Sequence, residues 1–138
     1  MMGDIVHLPS GKAKLAIRPW IHLFPHTTFR YSLVDRLSDA GCGVAVVPWA
    51  EGREEYLRVR ERVAELVRAG WSRSAAIKSL TLHPAELIGV GKRLGIIEKE
   101  KDADLVFFSG DPLDPQSELT RVMIFGEIVW EADREAVH

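Results

Sequence analysis

Two histidines, His22 and His26 in PWIHLFPHTT, come nearest in type and spacing to metal chemistry. Four residues apart, they would share one face of a helix, but Pro25 between them opposes a helix. Two imidazoles without a third protein ligand fall short of a catalytic zinc site, so His22 and His26 are candidate ligands of an incomplete set. His83 precedes Pro84 at an expected helix start, where capping is its expected role. His7 falls in an expected strand and His138 at the chain end, and none joins a Ser-His-Asp or Cys-His set. Glu51, Glu54 and Glu55 open an expected helix, where negative charge complements the helix dipole. Gly89-Val90-Gly91-Lys92 has the composition of a phosphate loop but follows a helix rather than a strand. No catalytic residue is assigned. Trp20, Phe24 and Trp49 gather at expected strand ends and are candidates for a ligand pocket or an interface, because large aromatics dominate both cores and interfaces.

The composition narrows the partners. The 138 residues are 46% hydrophobic, enough for one core. A net charge of -2, from 18 basic and 20 acidic residues, offers no pull toward nucleic acid or anionic membrane. Cys42 is the single cysteine, which excludes an internal disulfide and a cysteine zinc cluster, and in GCGVAVV it reads as a small buried residue. With no secretory pattern at the start and no apolar run of membrane length, a soluble cytoplasmic protein is expected.

Positioning these residues falls to an alternation of strands and helices. Asp4 to Leu8 and Ala13 to Arg18 read as strands around the turn Pro9-Ser10-Gly11-Lys12. Thr27 or Thr28 is placed to cap a helix over about residues 29–39, stopped by Gly41. GVAVV, residues 43–47, has no polar face, which suits a strand buried on both sides in a parallel sheet. From Arg53 to Ala69, Tyr56, Val59, Val63, Leu66 and Val67 form one apolar stripe, the mark of an amphipathic helix. Ser72 can cap a further helix to Leu80, and Pro84 opens a short one ended by Gly89. After Gly95 the pattern turns to strands: DLVFFS, then a hairpin joined at Gly126.

Three segments in order, TLHPAELIGVGKRLG, IIEKEKDADLVFF and GDPLDPQSELTRVMIFGEIVW, resemble the closing portion of the metal-dependent amidohydrolases, in particular the imidazolonepropionase-like group. His83 stands for the usual asparagine before Pro84, and Glu100 for the usual glycine before Lys101. The resemblance extends upstream through LVDRLSDAGCGVAVV and AELVRAGWSRSAAIKSLT. It implies an α/β fold: the last strands and helices of a β/α barrel over residues 1–80, then a small C-terminal β unit over 81–138 like the family's side sandwich. The front of such an enzyme would then be missing.

The resemblance also implies a metal cage at the strand ends and an aspartate after the eighth strand that accepts the proton of metal-bound water. At that position the chain reads Pro48-Trp49-Ala50. PWIHLFPHTT can be aligned to the family's first-strand His-x-His only with Phe24 in place of the first histidine and His26 as the second. The expectation is therefore a truncated amidohydrolase-like chain, inactive alone and without cofactor, that forms a homo-oligomer or joins a second amidohydrolase-like chain. Zinc or iron enters only if a partner supplies ligands. The alternatives are the C-terminal part of a split hydrolase of non-peptide carbon–nitrogen bonds, and a small-molecule binding module.

Overall fold

A computed structural model describes residues 13–18, 21–23, 26 and 30–133. The expected strand at Asp4 to Leu8 lies outside these residues. The architecture is mixed α/β, in the order β1 (Lys14–Ile17), β2 (Ile21–Leu23), β3 (Arg30–Ser32), α1 (Leu33–Asp39), β4 (Gly43–Val46), α2 (Arg53–Arg68), α3 (Arg73–Leu80), α4 (Leu82–Leu87), β5 (Leu105–Phe108), β6 (Leu119–Ile124) and β7 (Glu127–Glu131).

The apolar run GVAV becomes β4 and pairs in parallel with β1, Leu15 opposite Val44 and Ile17 opposite Val46. A strand without a polar face has to be covered, and Val44, Ala45 and Val46 are all buried. Helices α1, α3 and α4 pack against β4. Val34 and Leu37 of α1, Val63 and Leu66 of α2, Ala76 of α3 and Trp71 join Val44 and Val46 in one core. Trp71 buries its ring and donates its indole N–H to Ser38 Oγ at 2.9 Å, so the polar end of the largest core residue is satisfied. Cys42 is buried in the same core, as expected of a small free thiol.

The expected helix over residues 29–39 begins later than the sequence suggests. Arg30–Ser32 instead form β3, antiparallel to β2, with His22 opposite Tyr31. Pairing with β2 competes with local helix propensity over these residues and wins. Helix α2 matches its stripe, with Val63 and Leu66 buried and Val59 and Val67 packed on the core, although Tyr56 remains exposed. Ser72 caps α3, its Oγ accepting the Ala75 N–H.

The C-terminal strands form an antiparallel three-stranded sheet, β5-β6-β7. The β6–β7 connection is Phe125-Gly126, with φ of 49° and 81°. Positive φ at both central residues is the hairpin geometry that glycine favours, and Phe125 tolerates it because the turn is tied down from outside. Its N–H donates to Asp104 Oδ1 at 2.8 Å, and the Gly126 N–H donates to the Ala103 carbonyl at 3.0 Å.

The loop between β5 and β6 joins this sheet to the helical body. Leu113 enters the main core and is 8% exposed. Arg60 of α2 donates to the carbonyls of Pro112 at 3.3 Å and Ser117 at 2.9 Å, and its guanidinium lies 5.0 Å from the Phe108 ring centroid. Arg73 grips Asp111 with two bonds, 2.7 and 3.0 Å. Truncating Leu113→Ala should cost about 2–3 kcal/mol in urea unfolding, since a buried leucine loses its transfer energy and leaves a cavity. A change below about 0.5 kcal/mol would mean that the loop is not a core element.

Candidate functional site

The end of a buried parallel strand is where a fold of this type can present chemistry, because the strand fixes the residue just beyond it. Val47 still belongs to the ladder, its N–H donating to the Ile17 carbonyl at 3.0 Å. Pro48 has no N–H to extend the ladder, and Trp49 comes next as a half-buried side chain. The Arg62 guanidinium lies 5.9 Å from the Trp49 ring centroid and pairs with Glu55 at 3.0 Å. Helix α2 thus supplies both the cation over the indole and the carboxylate that holds that cation. An indole donates one hydrogen bond and offers neither a metal-ligating lone pair nor a basic oxygen.

Of the other expected site residues, Trp20 and Phe24 lie outside the described residues. The backbone of His22 sits in β2, and His26 is exposed with φ of 61°. Their meeting at a shared ion is not part of the described geometry. His83 takes a role different from the expected cap. It is the second residue of α4 and its Nδ1 lies 3.0 Å from the Val44 carbonyl. A carbonyl only accepts, so Nδ1 carries the proton and donates across to β4. In a parallel ladder alternate residues turn their backbone groups to opposite sides. Gly43 and Val47 donate toward β1, so Val44 faces away from it, and His83 engages that outer edge.

Among the described residues, no group of three His, Cys, Asp or Glu side chains is placed to hold a metal ion. With Trp49 at the strand end and His83 Nδ1 engaged by a carbonyl, the described donors do not fit a metal centre. The charged motif KDAD is also accounted for. Lys101 Nζ donates to the Gly91 carbonyl at 2.7 Å, Asp102 pairs with Arg93 at 2.7 Å, and Asp104 holds the β6–β7 turn. Asp111 and Asp114 accept the N–H groups of Leu113 and Gln116 two residues on, forming the Asx turns expected of aspartates before proline. Gly89, Gly91 and Lys92 border an open depression of about 690 Å³ shared with Lys14, Glu86, Glu98 and Lys101. It lies at the start of β1, the opposite end of the parallel pair from Trp49.

The clamps of Arg60, Arg62 and Arg73 were missed by sequence reasoning. Arg60 and Arg73 reach partners distant in sequence, so no local pattern marks them, while Arg62 pairs with Glu55 seven residues earlier on the same helix.

Residues 36–129 match the model of the Amidohydrolase family. Over 68 residues the chain is 37% identical to N-acetylglucosamine-6-phosphate deacetylase of Homo sapiens, a stretch that is 49% of this chain and 15% of that enzyme. It is 42% identical over 52 residues to the amidohydrolase tasK of Hapsidospora irregularis, covering 38% of this chain and 5% of that protein. Among solved structures, an amidohydrolase from Thermotoga maritima superposes with a TM-score of 0.66 at 31% identity, over 80% of this chain and 31% of the other. A second crystallised amidohydrolase, 20% identical, superposes with a TM-score of 0.55 over 72% of this chain and 25% of its own, a likeness of fold. The chain spans a small part of the length of the relatives it matches.

The Arg73–Asp111 contact carries a pH signature. The Arg73 hydrogen bond, then the Leu113 N–H, hold the Asp111 carboxyl below the usual carboxylate range. A carboxylate with a depressed folded pKa stabilises the fold above its unfolded pKa, and the gain is lost as pH falls through the folded value. Unfolding midpoints should therefore drop on acidification below about pH 4, and drop less in Asp111→Asn. Both residues are solvent-exposed, so high salt should shrink the difference. Identical acid profiles for wild type and Asp111→Asn would show that the contact adds nothing.

Proposed function

Because the chain belongs to the amidohydrolase family, we propose that it is a non-hydrolysing member that works as a subunit, completing its fold against another copy or a second amidohydrolase-like chain. The single observation that carries the reading is Trp49, fixed by β4 and Arg62 at the strand end where the resemblance calls for a proton-accepting aspartate. Without a carboxylate there, the proton of an activated water has no acceptor at that position. In this reading β1 and β4 are the last two strands of a barrel and β5-β6-β7 belongs to its side sandwich. Each strand of the parallel pair has only the other as neighbour among the described residues, which supports a partner.

The proposed setting is cytoplasmic. Cys42 is single and buried, and among the described residues no helix is long and apolar enough to cross a membrane.

A second reading rests on the same isolated parallel pair: another polypeptide supplies the ligands, and this chain is one part of a split hydrolase of non-peptide carbon–nitrogen bonds. The two readings separate by experiment. The purified chain should hold far less than stoichiometric zinc or iron and should not deacetylate N-acetylglucosamine 6-phosphate, the compound named for its relatives. Trp49→Asp alone should restore neither metal nor turnover. Sedimentation at low concentration should show an assembly larger than one chain. Stoichiometric metal with turnover in the isolated chain would overturn the proposal, and a stable, compact monomer would count against the subunit role.

A further inference from the structure

We draw no further inference here: the strongest candidate, the apolar groove of about 410 Å³ between α4 and β5 that is bordered by Pro84, Ile88, Ile97 and Val106, carries nothing, because nothing in the structure shows what covers it.

Discussion

The need to cover β4 on both sides organises the molecule. A strand reading Gly-Val-Ala-Val has no side chain to offer water, so each of its faces requires an apolar layer. The helices on either side of it in the chain supply those layers: α1, α3 and α4 pack on β4, and α2 brings Val63 and Leu66 into the same core. Trp71 fills the turn between α2 and α3 and fixes itself to Ser38 of α1. The position of Trp49 is a consequence of this packing, since a strand held on both faces leaves little freedom to the residue just past its end.

The second structural unit depends on the first through a loop rather than through a sheet. Leu113 adds apolar contact, and the Arg60 and Arg73 clamps add direction. Exposed ion pairs contribute little by themselves, so the Arg73–Asp111 pair orients a loop whose adhesion comes mainly from Leu113 and from the Arg60 bonds to backbone carbonyls. At its far end the sheet is pinned by Asp104, which satisfies the Phe125 N–H of the β6–β7 turn. The family-like KDAD motif therefore serves the loop before β5 and the turn after β6.

Much of this was legible in the sequence where the signal was local. The unbroken apolar run gave β4, the stripe of Val59, Val63, Leu66 and Val67 gave α2, Ser72 gave the start of α3, and Gly126 gave the hairpin. Non-local partners were not legible. Residues 30–32 are strand because β2 lies beside them, which no window around Thr28 reveals. His83 looked like a cap because it precedes Pro84, yet its partner is a carbonyl 39 residues away. Arg60 carries no local mark, since its partners are carbonyls 52 and 57 residues away. At the candidate site the identity of Trp49 was readable, while the cation that holds it was not.

The α/β fold and an indole at the strand end are physically compatible because they draw on different interactions. Covering β4 requires volume and apolarity at Val44 and Val46, and neither depends on the residues beyond Pro48. A carboxylate at position 49 would sit beside Arg62, already paired with Glu55, and would gain attraction without any apolar contact. An indole there gains contact area and a cation over its face, worth about 0.5–2 kcal/mol depending on desolvation. Trp49 thus adds to packing at a point where a proton acceptor would add chemistry. Under the proposed subunit role, that exchange of chemistry for packing would leave the strand end as a contact surface, next to a strand, β1, that pairs only with β4 among the described residues.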